Sequence, residues 1–591
     1  MNQENLQKTL SDKRHTLAHV LASVLIEKHP DIKLTLGPAI DNGFYYDIDF
    51  LNEEKPNTEK DFEDITNEMK SKINIGGNFS HKEVSKEEAL EFFTDNEYKT
   101  ELINEISERG EKITLYTINF NNGKTFTDLC RGGHAEELKE IDADSFKITH
   151  IAGAYWRGNE KNKMLTRVYG LAFETKEELI NYQAKIEEAK KRDHRILGKE
   201  LGLFIFSDLV GPGLPLWTPR GTFLRKQVDN FVQELRNEYG YGAVAIPHLT
   251  KKDLYIKSGH WEKYQEDLFK IDTRDGHTLC MKPMNCPHHA QIYASELRSY
   301  KELPIRYSET TMVYRDEQSG ELNGLSRVLS ITQDDAHIFC RENQLEEEMN
   351  NVWNLIENFY KSFGFESLTP RFSRRNDDPK YKGNIEFWNK AENAIKNLLT
   401  KRASENFIDG EGEAAFYGPK IDFLAKDAIG REHQVGTIQV DFVQPTNLGL
   451  EYVSETGTRE MPVMIHCAVA GSLERFLSVY IEHTTGNFPL WMSPTQLSII
   501  PINLEAHGDY AKEIYSKLKS KKYRVELEDS KDGLGKKVRY AKEMKYPYWI
   551  VIGDKEKEEN KITLESRSGE KFNLSLEELI EKLEKEVEEK K

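Results

Sequence analysis

The chain has 591 residues, too many for a single hydrophobic core, and we expect about three domains. Its hydrophobic fraction of 38% and aromatic fraction of 10% are typical of a soluble globular protein, and no apolar run is long enough to cross a bilayer. The formal net charge of -18 argues against indiscriminate nucleic-acid binding but allows a local basic groove.

The N-terminus and the cysteine content indicate the compartment. Residues 1–13 are polar and charged and contain no apolar segment of the kind found in a secretory signal. The cysteines are few and odd in number: Cys130, Cys280, Cys286, Cys340 and Cys467. This usage predicts a reduced, cytoplasmic protein in which any functional cysteine is a metal ligand or a catalytic group.

The first predicted domain comprises residues 1–174. It opens with apolar residues at helical spacing between positions 17 and 25 and continues with a strand-like run at 43–48. Residues 175–199 are highly charged, and Leu179, Tyr182, Ile186 and Ala189 recur there every three or four positions. This spacing predicts a linking helix.

The second and third predicted domains differ in their element pattern. Residues 200–489 contain strand-like runs at 303–314, 325–332, 414–423 and 433–442 and a helix at 347–359, which predict an antiparallel α+β domain. Residues 490–591 alternate strands at 497–502, 523–527 and 548–552 with helices at 510–518 and 535–544, so we expect a small α/β domain. Ser575 and Glu578 form a capping-box pattern before a last helix. The predicted fold class is therefore a multidomain α+β protein.

Three stretches of the middle domain are rich in groups that carry chemistry. They are MKPMNCPHH at 281–289, VYRDEQ at 313–318 continuing to Arg327 and TQDDAH at 332–337, and MIHCA at 464–468 continuing to GSLERF at 471–476. With FYGPKID at 416–422 they resemble the motifs of class II aminoacyl-tRNA synthetases, and specifically the threonyl branch. The resemblance covers nearly the whole chain. It implies ATP-dependent charging of tRNA(Thr) with threonine on a class II antiparallel sheet with flanking helices.

Activation of an amino acid by ATP develops negative charge on the phosphate oxygens, so the site needs fixed cations and Mg²⁺. Arg is better suited than Lys to planar phosphate recognition. By resemblance, Arg315 grips the α-phosphate, Arg327 supports it, Arg475 holds the other end of ATP, and Gln434 also contacts the nucleotide. A lone arginine is more often a solvated surface residue, and the surrounding motifs carry this assignment.

The resemblance also implies a zinc site formed by Cys286, His337 and His466, with an open position for the substrate. These residues are far apart in the sequence, and lone His or Cys residues are usually structural. Valine is isosteric with threonine but lacks the hydroxyl, and a site that binds the hydroxyl rejects such an analogue by roughly 10⁴–10⁵. The substrate pocket implied by the resemblance comprises Met284, Gln333, Asp335, Tyr417, Lys420, Gln434 and Gln439.

Serine lacks only one methyl group of threonine, which is worth about 1–3 kcal/mol, so a hydrolytic second site is expected. The first domain contains His15 and His19 on one helix face, and Cys130 and His134 further along. Ligand chemistry alone favours zinc for these four residues. Their resemblance to the editing domain shared by threonyl and alanyl enzymes favours instead a metal-free pocket that hydrolyses seryl-tRNA(Thr). That site would also include Lys99, Asp128 and Tyr46.

The resemblance further implies partners and reveals departures. Residues 232–247 resemble the motif that forms the homodimer interface of class II enzymes, and residues 490–591 resemble an anticodon-binding domain with basic residues Lys536, Lys537, Arg539 and Arg567. The small ubiquitin-like domain usual before the editing domain is expected to be missing. The departures from the usual motif residues are Leu329, Gly133, His433 and Val435.

The alternative function is a non-catalytic RNA-binding paralogue that kept the fold. Such proteins typically lose motif arginines or zinc ligands, whereas this chain keeps both sets. We therefore expect an active enzyme.

Overall fold

The computed structural model describes residues 3–404 and 406–590. The chain divides into two compact units, Met1–Glu187 and Glu188–Lys591. Among the described helices, none has the length and apolar composition needed to cross a bilayer.

The first unit contains two antiparallel sheets packed with helices. Its helices are α1 (Gln3–Lys28), α2 (Glu59–Ile75), α3 (Lys86–Phe92), α4 (Glu97–Glu108) and α5 (Lys176–Arg192), the last of which crosses the division between the units. Its strands are β1 (Lys33–Leu34), β2 (Ala39–Ile40), β3 (Gly43–Asp49), β4 (Gly77–Val84), β5 (Ile113–Phe120), β6 (Thr125–Leu129), β7 (Phe146–Tyr155) and β8 (Met164–Ala172). One sheet has the order β1-β3-β8-β7 with β2 beside β3, and the other has the order β4-β5-β6. The predicted apolar face of α1 is buried in this core.

The second unit contains the remaining elements. Its helices are α6 (His194–Glu200), α7 (Pro219–Glu238), α8 (Lys252–Ser258), α9 (Trp261–Tyr264), α10 (Cys286–Ala294), α11 (Leu345–Ser362), α12 (Ile385–Ala403), α13 (Val443–Leu448), α14 (Leu473–Thr484), α15 (Leu504–Ser520), α16 (Leu534–Glu543), α17 (Asp554–Glu559) and α18 (Leu576–Glu588). Its strands are β9 (Phe204–Ile205), β10 (Leu216–Trp217), β11 (Gly242–Ala243), β12 (Leu249–Lys251), β13 (Lys270–Asp272), β14 (Thr278–Met281), β15 (Arg298–Ser299), β16 (Ile305–Tyr314), β17 (Ser330–Cys340), β18 (Leu368–Arg374), β19 (Ile408–Glu411), β20 (Lys420–Lys426), β21 (Glu432–Asp441), β22 (Tyr452–Val453), β23 (Arg459–Glu460), β24 (Val463–Ala468), β25 (Leu497–Pro501), β26 (Val525–Leu527), β27 (Tyr548–Ile552), β28 (Ile562–Ser566) and β29 (Lys571–Leu574).

An eight-stranded sheet forms the centre of this unit. Its order is β11-β16-β17-β24-β21-β20-β18-β19, and all pairs are antiparallel except the two at the edges. The helices α7, α11, α12 and α14 contribute to its large hydrophobic core. A separate sheet with the order β26-β25-β27-β28-β29 and its helices form the C-terminal α/β region. The Ser575–Glu578 capping box is present at the start of α18, as predicted.

Several predicted elements differ from the structure. The helix predicted at 510–518 begins already at Leu504, where Asn503 caps it. The linking helix is interrupted, because Asp193 caps a new helix by accepting the Arg195 N–H. The predicted strand at 325–332 begins only at Ser330, because Asn323 and Arg327 pair across a turn. The strand at 414–423 begins only at Lys420, because a tight turn precedes it. A Cβ on Gly418 in that turn would lie 1.9 Å from the Val440 carbonyl oxygen.

Candidate active sites

A cluster of one thiol and two imidazoles lies on one face of the central sheet. His337 on β17 is directly opposite His466 on β24, and His337 Nε2 lies 3.1 Å from His466 Nδ1. Cys286 begins α10, and its sulfur completes a set whose donor atoms all lie within 4.8 Å of one another. All three side chains are buried. Strand pairing, which sequence spacing does not show, brings these distant residues together.

The donor set fits a zinc ion. Three N and S ligands with an open fourth position are typical of catalytic zinc, and zinc-binding histidines usually have their other ring nitrogen held by a polar partner. Here His466 Nε2 lies 2.9 Å from Asp441 Oδ2, and His337 Nδ1 lies 2.8 Å from His289 Nδ1. Each imidazole therefore has one nitrogen directed toward the cluster and the other engaged by a buried group.

Polar groups surround the open side of this cluster. Asp335 lies two residues before His337 on the same strand face, and it accepts a hydrogen bond from Asn285 Nδ2 at 3.0 Å. The Tyr417 ring stacks on His466 at 4.9 Å, and its hydroxyl donates to Gln439 at 2.5 Å. Met284 packs in the small apolar cluster that contains Cys286. These positions suit recognition of a small polar ligand.

A second site is a cavity of about 170 Å³ on the same sheet. It is lined by five of the predicted residues, which are Arg315, Arg327, Gln333, Gln434 and Arg475. Desolvation lowers the pKa of Arg475, and the nearby charges of Arg315 and Arg327 lower it further. Three guanidinium groups and the single carboxylate of Glu317 line the cavity, so its net positive charge favours binding of a polyanion.

Lys420 does not line this cavity. Its ammonium group lies 2.7 Å from Asp422, a fully buried carboxylate that also accepts hydrogen bonds from Arg371 and from Gln434 Nε2. Arg371 in turn donates to Gln434 Oε1 at 3.1 Å. Asp422 therefore fixes the amide of Gln434, and Lys420 helps to neutralise Asp422.

A cavity of about 570 Å³ in the first unit contains most of the predicted editing residues. It is lined by His15, His19, Tyr46, Lys99, Asp128 and Cys130. The Asp128 carboxylate accepts a hydrogen bond from the Tyr46 hydroxyl, and it lies 2.5 Å from the buried Lys99 ammonium group. Burial is the main reason that the pKa of Cys130 is raised to about 11, so its thiol is protonated near neutral pH.

His134 lies beside this cavity and does not line it. Its ring stacks on Phe79 at 4.2 Å, and its Nε2 lies 3.3 Å from Cys130 Sγ. Burial, with the neighbouring His19 and His15, lowers the pKa of His134 to about 2. The donor atoms of His15, His19, Cys130 and His134 lie within 4.8 Å of one another, so their geometry is also compatible with a metal ion.

Three known domain families match the chain. Residues 113–169 match the threonyl and alanyl tRNA synthetase second additional domain, residues 269–484 match the tRNA synthetase class II core domain (G, H, P, S and T), and residues 496–586 match the anticodon binding domain.

Relatives that align along nearly the whole chain extend these matches. Threonine–tRNA ligase from Cytophaga hutchinsonii is 45% identical over 97% of this chain and 88% of its own length. The enzyme of the same name from Thermosynechococcus vestitus is 44% identical over 96% and 94%. The chain belongs to the threonine–tRNA ligase family.

Among solved structures, the RNA binding domain of threonyl-tRNA synthetase from Cryptosporidium parvum covers 67% of this chain and 98% of its own. It has 36% identity and a TM-score of 0.64. These similarities confirm the predicted family, fold class and enzyme class. As a threonine–tRNA ligase, the chain uses threonine, ATP and tRNA, and its second additional domain supports editing.

Several residues of this ligase were not found from the sequence. Asp441, Asp422, Arg371 and His289 contact predicted site residues through hydrogen bonds, but single Asp, Arg and His residues do not reveal such contacts in a sequence. Asp422 lies in the FYGPKID stretch and His289 in the MKPMNCPHH stretch, but neither residue was assigned a role from the sequence.

The four residues that depart from the usual motifs lie in different surroundings in this ligase. The carbonyl of Leu329 accepts the Arg315 N–H at 3.0 Å, so Leu329 positions a predicted ATP-binding residue through its backbone. Val435 lines the arginine cavity, whereas His433 contacts Asp427. Gly133 has a φ of 84°, and its carbonyl oxygen lies 3.1 Å from His15 Nδ1. A proline could not adopt this backbone conformation.

The predicted basic residues of the C-terminal region differ in availability. Lys537 is buried and donates to the Glu528 carbonyl, whereas Lys536 and Arg539 pair with acidic neighbours on the surface. Arg567 donates to the Lys545 carbonyl at 3.4 Å. Of these four residues, Lys537 is the one that is buried, and its ammonium group already donates to a backbone carbonyl.

Proposed function

We propose that Cys286, His337 and His466 hold a zinc ion at which threonine is selected. The observation that carries this proposal is the opposed pairing of His337 and His466 next to the Cys286 sulfur. When bound, zinc would act as a Lewis acid toward the amino and hydroxyl groups of threonine. Asp335 is close enough to the cluster to accept a hydrogen bond from either group, and the Tyr417–Gln439 pair limits the space beside His466.

We propose that the arginine cavity binds ATP with Mg²⁺. Arg315 and Arg475 would contact the phosphates and stabilise the charge that develops during attack by the threonine carboxylate. Arg327 pairs with Glu317 at 2.5 Å and with Glu321 at 2.9 Å. It would have to leave or share these carboxylates to contact the nucleotide. Gln434, held by Asp422, would orient the bound substrate next to Gln333.

Threonine-dependent exchange of pyrophosphate into ATP tests both assignments. We expect exchange with threonine, a measurable response to serine and little response to valine. His466→Ala should abolish discrimination of threonine from valine, and Arg475→Ala should raise the KM for ATP. His507→Ala is a control, because His507 is a buried histidine of the C-terminal region that bonds Asp554. Unchanged discrimination in His466→Ala would contradict the zinc assignment.

We propose that the cavity of the first unit hydrolyses seryl-tRNA(Thr) without a metal ion. Lys99, Asp128 and Tyr46 form a buried charged network that can orient water, and His15 and His19 face the same cavity. Because burial raises the pKa of the Cys130 thiol, we assign Cys130 a role as a neutral group that shapes the cavity and forms hydrogen bonds.

Variants that lack single editing residues test this proposal. His15→Ala and Cys130→Ala should let seryl-tRNA(Thr) accumulate while threonine activation persists. His150→Ala, an exposed histidine of the same unit, is the control. Hydrolysis that is lost with a chelator and restored by zinc would instead support a metal-dependent site.

We propose a homodimer whose interface comprises residues 232–247, the segment that resembles the dimer motif of class II enzymes, together with the exposed segment before α7. Ile205, Phe206, Leu209 and Val210 are exposed apolar residues in this segment, and Leu209 is 100% exposed. Contiguous exposed apolar residues mark interaction surfaces. Sedimentation should give a dimer, and Leu209→Asp should shift it toward the monomer. A monomeric wild-type protein at micromolar concentration would contradict the proposal.

A further inference from the structure

His289 lies against the proposed zinc centre without being one of its ligands. It follows Cys286 by three residues on α10, and its side chain is completely buried. Its Nδ1 lies 2.8 Å from the Nδ1 of His337, and the two rings are nearly perpendicular at 84°. The side chain is thus joined to a proposed ligand by a direct nitrogen–nitrogen hydrogen bond.

The proton positions along this contact follow from the chemistry of imidazole. A neutral ring has one N–H and one acceptor nitrogen. If His337 Nε2 binds the metal, its Nδ1 must carry the hydrogen and donate it to His289 Nδ1. His289 must then carry its own hydrogen on Nε2. That nitrogen is buried and lies 4.0 Å from Glu309 Oε2, and neither atom has a hydrogen-bond partner among the described residues.

The sheet explains why Glu309 is in reach. Glu309 on β16 is directly opposite Asp335 on β17, two residues before His337. Its other oxygen accepts the Ile246 N–H at 3.4 Å, which leaves Oε2 directed toward His289. The carboxylate is largely shielded from solvent, so a donor from His289 would be favourable for it.

We propose that His289, supported by Glu309, is a positioning residue that fixes the tautomer and orientation of His337 for metal binding. The inference rests on the proposed zinc site. The two ligands would then be held in different ways: His466 directly by the Asp441 carboxylate, and His337 through His289 to the Glu309 carboxylate. Partners of this kind typically change metal affinity by about 10–100-fold.

Zinc affinity of the full-length protein, measured by competition with a chromogenic chelator, tests this proposal without measuring activity. His289→Ala should weaken zinc binding by about 10–100-fold. His289→Asn should lose less, because the amide oxygen of asparagine can accept from His337 Nδ1. His288→Ala is the matched control: His288 is the adjacent buried histidine of α10, and neither of its ring nitrogens has a partner among the described residues.

A double-mutant cycle adds a second criterion. Because Glu309 acts through His289, Glu309→Ala combined with His289→Ala should weaken zinc binding no more than His289→Ala alone. The visible spectrum of the cobalt-substituted protein should shift in His289→Asn and stay unchanged in His288→Ala.

Three outcomes would overturn the proposal. They are wild-type affinity in His289→Ala, an equal loss in His288→Ala, and additive losses in the cycle. A wild-type protein that binds no zinc would overturn the proposed zinc site as well, which separates the two failures.

Discussion

A buried ion pair lies behind the sheet face that carries the proposed zinc site, and it leads to a specific prediction about stability. Nη2 of Arg236 on α7 lies 2.5 Å from Oδ1 of Asp334 on β17. The Arg236 side chain is 1% exposed and the Asp334 side chain is 0% exposed. Because residues alternate along a strand, Asp334 faces α7 while Gln333, Asp335 and His337 face the sites. The Arg236–Asp334 pair therefore fixes the strand that carries these three residues.

The size of the effect follows from what each change leaves behind. Arg236→Met removes the cation but leaves a buried carboxylate, whose other oxygen still accepts the Val469 and Ala470 N–H groups. Breaking a buried pair in this way costs about 3–5 kcal/mol. At roughly 2 °C per kcal/mol for a large domain, Tm should fall by about 6–10 °C. Arg236→Met with Asp334→Asn should be less destabilised, because no charge is left unpaired.

Differential scanning calorimetry of the single and double variants measures this effect. Arg539→Met is the control, because Arg539 pairs with Glu543 on the surface and should leave Tm unchanged. A fall of less than 2 °C in Arg236→Met, or a double variant less stable than Arg236→Met, would refute the reasoning.

Three further predictions concern single residues. Gly133→Pro should lower seryl-tRNA(Thr) hydrolysis by roughly 10-fold or more, because proline cannot keep the φ of 84° that Gly133 has. Threonine activation should stay normal. Normal hydrolysis in this variant would exclude a role for the contact between His15 and Gly133. Cys130 should react slowly with iodoacetamide at pH 7. The alkylation rate should rise about tenfold per pH unit until the pH reaches the pKa of about 11. A plateau of this rate near pH 8 would show that the pKa of Cys130 is not raised. His194→Ala should raise the KM for ATP by about 2–10-fold without changing the KM for threonine. His194 accepts the Leu325 N–H in the turn that carries Arg327, and an unchanged KM for ATP would show that this turn does not need it.

The sequence predicted elements more reliably than it predicted the contacts between them. Apolar spacing identified the buried face of α1, and the Ser575–Glu578 pattern identified the start of α18, because both signals are local. Strand starts were wrong where turns intervene, as at Lys420, since the close approach of Gly418 to Val440 depends on a neighbouring strand.

The sites depend even more on non-local pairing. His337 and His466 are 129 residues apart and meet only through the register of β17 and β24. Motif resemblance named them, whereas no spacing rule could. The groups that hold site residues, such as Asp441 behind His466 and Arg371 beside Gln434, lie outside the motif stretches and were identified only from the fold.

The assignment of Cys286, His337 and His466 as zinc ligands is tested most directly by X-ray absorption at the zinc edge of the purified enzyme, with and without threonine. We predict one sulfur at about 2.3 Å and two nitrogens at about 2.0–2.1 Å, with additional nitrogen or oxygen ligands when threonine is added. A coordination shell without sulfur, or a fully active enzyme that contains no zinc, would contradict the assignment.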